Sequence, residues 1–256
     1  MEQPRNPLLS RIIAVLRAKQ FVVFFGIGLY TLDVVVPLVT GWLAAHQPLA
    51  DLVDATDTPL SHFGQRPGVP IAVLIVAYLA TSAWLRCGYI RSIVGRFHAG
   101  PTDGRQFGSM LLLQTALLCV GAALNVAAER IGPDSSAIFA LLPVIVLVGL
   151  VALYADYAIV ISGAGFVAAW RDSWLTVRAN LMPSLLVMLF LGTLTGAVTA
   201  GILESAQGSW DAVMPTLILA VVIAGSLTFI GDVILVMVYV TSIERGAVRP
   251  PRGPGL

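Results

Sequence analysis

The chain has 256 residues, of which 57% are hydrophobic and only 11% are charged, and its formal net charge is +1. Soluble domains carry roughly 25% charged residues, and even a large water-soluble fold buries only about 75% of its surface. This composition excludes an ordinary soluble domain. It predicts a protein whose apolar side chains face lipid.

Six apolar segments each reach the length of about 20 residues that a spanning helix needs. The sequence therefore predicts an all-α fold, a polytopic transmembrane helix bundle that forms a single membrane domain. The first segment is too long for the apolar core of a cleaved signal peptide, which has about 7–15 residues. The Pro-, Gly- and Arg-rich stretch 248–256 is predicted to be disordered. The predicted spans are 21–44, 70–89, 107–128, 137–161, 183–203 and 213–241.

The basic residues are distributed unevenly between the segments that connect these spans. Of the 15 Lys and Arg residues, only Arg66 and Arg130 fall on the side opposite the N-terminus. Positive charge concentrates on the cytoplasmic side of membrane proteins, so both termini are predicted to be cytoplasmic. The expected location is a plasma membrane, with multiple spans. Anionic lipid explains the basic inner loops better than nucleic acid does.

Two further stretches are amphipathic and are predicted to lie at the inner membrane surface. In 8–16, Leu and Ile side chains share one face, and Arg11 and Arg17 lie on the other. In 166–179, aromatic side chains and Val177 form a stripe that two arginines flank, a pattern typical of a helix at the level of the lipid headgroups. The residues assigned to this second interfacial helix are Phe166, Trp170, Arg171, Trp174 and Arg178.

Ionisable residues inside the apolar segments are the main candidates for function. A charge at bilayer depth costs about 2.5–3.5 kcal/mol even on the gentler insertion scale, so such side chains should face the bundle interior and find partners. Four of the five candidates map to the inner half of the membrane, and Asp33 maps nearer the middle. The predicted intramembrane polar cluster consists of Asp33, Arg86, Gln114, Asp156 and Asp232.

This cluster has two interpretations. It is either a structural ion-pair network that fixes how the helices pack, or a polar pocket or proton path open to the cytoplasm. In the structural interpretation, Arg86 bridges one or two of the aspartates. Arg86 is expected to point toward Asp156 or Asp232 instead of extending to the interface, because pairing satisfies two residues at once.

Other polar or small-residue patterns suggest less specific roles. Gly192 and Gly196 form a GxxxG pattern, predicted to let two helices pack closely, within the chain or across a homodimer. His46 and His62 lie among aspartates in the first outer loop, but their spacing matches no known metal-ligand pattern. No metal site and no cofactor are therefore predicted. No phosphate-binding loop, nucleophile elbow or paired zinc cysteines occur in the sequence.

Two motifs in the inner segments carry a resemblance to a known family. The first is Arg86–Arg91 (RCGYIR), and the second is Gly163–Asn180 (GAGFVAAWRDSWLTVRAN). With them, the chain resembles a family of six-helix bacterial membrane proteins, similar to the membrane domain attached to some glycerophosphodiester phosphodiesterases. The resemblance implies that fold but no activity, because these 256 residues contain no soluble catalytic domain.

The sequence therefore favours a non-enzymatic integral membrane protein with an accessory or scaffold role. Its expected partners are the bilayer itself and either anionic lipid or another membrane protein. The alternative is a small transporter or channel component that uses the intramembrane Asp and Arg residues. A membrane enzyme acting on lipid ranks third, because no histidine lies within a predicted span.

Overall fold

The structure is a computed structural model and describes residues 7–45, 69–95, 100–131, 141–190, 192–193 and 210–248. Regular structure in these ranges is entirely helical, which confirms the predicted all-α class for this part of the chain. The helices are α1 (Pro7–Ala18), α2 (Val22–Ala45), α3 (Val69–Val94), α4 (Gly104–Ile131), α5 (Leu141–Ala152), α6 (Ala155–Ile161), α7 (Phe166–Ala179), α8 (Leu181–Phe190) and α9 (Trp210–Glu244).

Several of these helices are long and apolar enough to cross a membrane. Four stretches meet that description by length and composition: 73–94, 104–128, 141–161 and 218–244. Two bent helix pairs raise the number to six if each pair is one span. The bend is 86° between α1 and the first part of α2, and 103° between α7 and α8.

The helix of the predicted fourth span is interrupted within the stretch 141–161, which is long enough to cross a membrane. Helix α5 ends at Ala152 and α6 begins at Ala155. A helix break leaves backbone N–H groups without partners. Here the N–H of Tyr154 donates to Oγ of Ser173, 3.0 Å away on α7. A distant side chain thus satisfies the break, which the continuous apolar sequence of this region did not indicate.

Helix α7 covers 166–179 as predicted, and its most buried face carries no aromatic side chain. Trp174 is exposed, whereas the inward face carries small and polar side chains. These groups are satisfied locally or by neighbouring helices, as when Thr176 Oγ1 donates to the carbonyl of Asp172 at 2.9 Å. The fully or nearly buried residues of α7 are Ala169, Asp172, Ser173, Thr176 and Val177.

Helix α1 is also present where the amphipathic pattern predicts it, and it packs on α9. The guanidinium of Arg11 forms an ion pair with Glu244 at 2.8 Å. The predicted apolar face is divided: Leu8 and Ile12 contact the core, while Leu9 and Ile13 are exposed. The apolar face of α1 is therefore wider than its contact with the bundle.

Helix α9 packs against α1, α2, α3 and α7. It approaches α2 closely at Gly225, where a Cβ atom would lie 2.7 Å from the Cα atom of Ile27. Only a residue without a side chain allows this separation. The largest fully buried side chains of the core include Tyr89, Tyr154, Tyr157, Tyr239, Ile90, Ile93 and Met110.

Several predictions concern residues outside the described ranges. Gly196, His46 and His62 are among them, so the helix-packing role of Gly192 and Gly196 stays a prediction. The predicted disordered tail begins at Val248, which is instead buried against the core. Residues 249–256 lie outside the described part of the chain.

Candidate functional site

Arg86 lies in the C-terminal half of α3, and its side chain points into the bundle. It meets carboxylates from two other helices, Asp156 at the start of α6 and Asp232 in the C-terminal half of α9. The pairing expected from the sequence is therefore present, and it involves both aspartates. The Arg86 cluster consists of these two aspartates, Arg86 and Tyr157.

The guanidinium of Arg86 donates four hydrogen bonds to the two carboxylates. Nη1 and Nη2 each donate to one oxygen of Asp232 at 2.9 Å, a bidentate arrangement. Nε and Nη2 donate to Oδ2 of Asp156 at 2.9 and 2.7 Å. Such planar, charge-assisted contacts are among the strongest that side chains make. They join α3, α6 and α9 at one point.

Tyr157 and the start of α6 complete the shell around the carboxylates. The hydroxyl of Tyr157 donates to Oδ1 of Asp232, and its backbone N–H donates to Oδ1 of Asp156 at 2.8 Å. Asp156 lies in the first turn of α6, where a carboxylate is favoured by the helix dipole. The ring of Tyr89 adds a cation–π contact, 5.4 Å from Cζ of Arg86.

The cluster is well shielded by protein. The side chains of Arg86, Asp156 and Asp232 expose 23%, 16% and 6% of their surface, respectively. One guanidinium faces two carboxylates, so the fully ionised cluster carries one net negative charge. The arrangement is therefore able to hold one additional proton, or to remain charged if its hydrogen bonds stabilise both carboxylates.

The other two predicted members of the polar cluster, Asp33 on α2 and Gln114 on α4, contact α3 at positions separate from Arg86. Asp33 accepts a hydrogen bond from the hydroxyl of Tyr78 at 2.7 Å, and Gln114 donates to Oγ of Ser82 at 3.2 Å. Tyr78, Ser82 and Arg86 follow one another at four-residue intervals, which are about 6 Å apart along a helix. One face of α3 thus presents three polar levels, and the predicted cluster of five is divided among them.

Sequence reasoning missed a group of buried tyrosines beside the Arg86 cluster. Tyr154 stacks on Tyr239 with ring centroids 6.3 Å apart, and its hydroxyl lies 3.0 Å from Oγ of Ser184. The hydroxyl of Tyr239 lies 2.8 Å from Oγ of Ser162. The only available signal was the presence of tyrosine, with a hydroxyl that needs a partner, inside apolar segments.

The described residues also form a cavity of about 440 Å³ at the junction of α4, α6 and α7. Two arginines, Arg105 and Arg171, line it together with the first residues of α7. Arg86, Asp156 and Asp232 are not among its lining residues. The full lining is Arg105, Leu112, Ser162, Ala164, Gly165, Phe166, Val167, Ala168, Arg171 and Asp172.

In the described part of the chain, no group of three or more His, Cys, Asp or Glu side chains is arranged to hold a metal ion. Comparison of the chain with models of known families, with curated proteins and with solved structures gives no match in any of the three. The resemblance to the membrane domain of some phosphodiesterases thus stays an interpretation of two short motifs. Any functional conclusion depends on the geometry of the described residues.

Proposed function

We propose that the chain is an integral membrane protein of a bacterial plasma membrane with six spans and an accessory or scaffold role, and that it has no catalytic activity. The observation that supports this best is the saturation of Arg86 by two carboxylates from two other helices. A network of this kind is typical of residues whose role is to fix how helices pack. The expected partners are lipid and other membrane proteins.

A membrane explains why the cluster is built this way. An arginine within an apolar span is expensive in lipid unless it is paired. Breaking such a pair leaves an uncompensated charge, so only the packing that joins α3, α6 and α9 avoids the cost. The cluster would thereby select one arrangement of the spans.

The six-span topology has both termini in the cytoplasm and is supported by the asymmetry of basic residues. At both termini, before residue 1 and after residue 256, a reporter that works only in the cytoplasm is expected to be active. A reporter that works only outside the cytoplasm is expected to be inactive there. A third fusion within 45–69, the predicted first outer loop, is expected to give the opposite result. Activity of a periplasmic reporter at either terminus would contradict this topology.

A transporter is the second candidate, and two observations favour it. The Arg86 cluster carries an excess carboxylate, and the helix break at Tyr154 lies next to Asp156. Broken helices beside ionisable groups are typical of ion and substrate sites in transporters. A cluster that gains and loses a proton during a cycle would use these features, whereas a structural cluster would not.

Proton flux into proteoliposomes distinguishes the two functions. The purified chain would be placed in vesicles that carry a pH dye and an imposed potassium diffusion potential. The scaffold function predicts the same rate of proton entry for protein-free vesicles, for the unaltered chain and for Asp232→Asn. Flux that requires the protein and disappears in Asp232→Asn would replace the scaffold function with transport.

A further inference from the structure

The cavity between α4, α6 and α7 is distinct from the Arg86 cluster and has a different chemistry. Its charged lining comes from two helices: Arg105 lies in the first turn of α4, and Arg171 lies on α7. One carboxylate, Asp172, lines the same space and lies 3.3 Å from Nη2 of Arg171. The lining therefore carries one net positive charge.

Arg105 is the cation that this arrangement leaves uncompensated. Among the described residues it has no ion pair and no side-chain hydrogen bond, in contrast to Arg171. Its Nη2 atom would lie 3.5 Å from a Cβ atom at Gly165, the residue that precedes α7. The guanidinium therefore lies beside the positive end of the α7 dipole, where two positive groups repel each other unless an anion lies between them.

The backbone at this point is also available to an anion. Gly165 offers no side chain to cap the first N–H groups of α7, and no side-chain cap bond is formed there. The residues that carry these groups, Phe166, Val167 and Ala168, are among those that line the cavity. Two guanidinium groups and a helix N-terminus together match the oxygen atoms of a phosphate group.

Apolar surface continues from this polar end of the cavity. Leu112 and Val167 line it and expose 57% and 79% of their surfaces. A water-soluble anion would gain nothing from these side chains, whereas the acyl chains of a lipid would cover them. By the proposed topology the cavity lies at the inner end of the third and fourth spans, at the level of the phosphate groups of that leaflet.

We infer that this cavity binds the phosphate headgroup of an anionic phospholipid, with Arg105 and Arg171 as its ligands. The inference rests on the proposed membrane function and names the lipid class that the inner face would recognise. The headgroup phosphate would lie between the two arginines and the start of α7. Its acyl chains would run along Leu112 and Val167.

Native mass spectrometry of the full-length protein in detergent tests this inference, with phosphatidylglycerol as the probe and phosphatidylcholine as the comparison lipid. We expect tighter binding of phosphatidylglycerol, weakened about tenfold by Arg105→Gln and by Arg171→Gln. Arg105→Lys should lose less, because the positive charge remains. Arg178→Gln is the matched control, since Arg178 is exposed on α7 outside the cavity, and should stay within about twofold.

Three outcomes would overturn the inference. They are equal binding of the two lipids, equal loss for Arg178→Gln, and displacement of the lipid by millimolar glycerol phosphate, which would make this a site for a soluble phosphate. Because Arg105 is exposed, its variant should melt at the same temperature as the unaltered chain, so a folding defect is recognisable. The reporter and flux experiments do not involve these arginines. Failure here would therefore leave the proposed function unaffected.

Discussion

Arg86→Ala is expected to lower the free energy of unfolding by about 3–5 kcal/mol. The change removes the cation that holds Asp156 and Asp232 together and leaves two carboxylates facing each other in a shielded site. Each carboxylate must then either take up a proton or be solvated by water that enters the site, and both cost free energy. Unfolding in mixed micelles by increasing denaturing detergent would measure the effect.

The matched control for this change is Arg17→Ala. Arg17 is exposed in the last turn of α1, so its removal should change the free energy of unfolding by no more than about 0.5 kcal/mol. Equal stability of Arg86→Ala and the unaltered chain would mean that the guanidinium is satisfied elsewhere, for example by extending to the headgroups.

Gly225→Ala is expected to destabilise the protein by about 1–3 kcal/mol, although alanine is the better helix former. The new Cβ would lie 2.7 Å from Cα of Ile27 and 3.1 Å from its Cγ1. The first of these atoms belongs to the α2 backbone and cannot move aside without displacing the helix. Thermal melting in detergent would record the loss.

Gly28→Ala is the control within the same helix pair. A Cβ at Gly28 meets no heavy atom within 4 Å in the described part of the chain. The change should therefore be neutral or stabilise the protein by up to about 1 kcal/mol through helix propensity. If Gly225→Ala melts at or above the temperature of the unaltered chain, α2 and α9 do not approach as closely as the structure indicates.

The helices and the Arg86 pairing were predictable from the sequence because the cost of exposing backbone and charge to lipid leaves few alternatives. Long apolar runs must be helical to satisfy their own N–H and C=O groups. An arginine within such a run must meet an acid, and few acids lie at the same depth. The sequence left open whether Arg86 meets one aspartate or both, since this depends on how α6 and α9 pack around α3.

The features that the sequence did not reveal depend on contacts between distant segments. The break at Tyr154 lies in a continuous apolar run, and the Ser173 hydroxyl that satisfies it is 19 residues away. The inward face of α7 is polar because its partners are also polar: Asn180, which follows α7, donates to Oγ of Ser242 on α9 at 2.7 Å. Helical periodicity of apolar residues carries no information about such pairs.

A double-mutant cycle on Arg86 and Asp232 tests most directly whether the ion cluster holds the spans in one packing. The free energy of unfolding would be measured for Arg86→Ala, Asp232→Asn and the double variant under identical detergent conditions. The two side chains form a bidentate ion pair, so the double variant should be more stable than the sum of the single losses predicts, by about 2 kcal/mol. Additive losses, equal to within about 0.5 kcal/mol, would contradict a structural role for this pair.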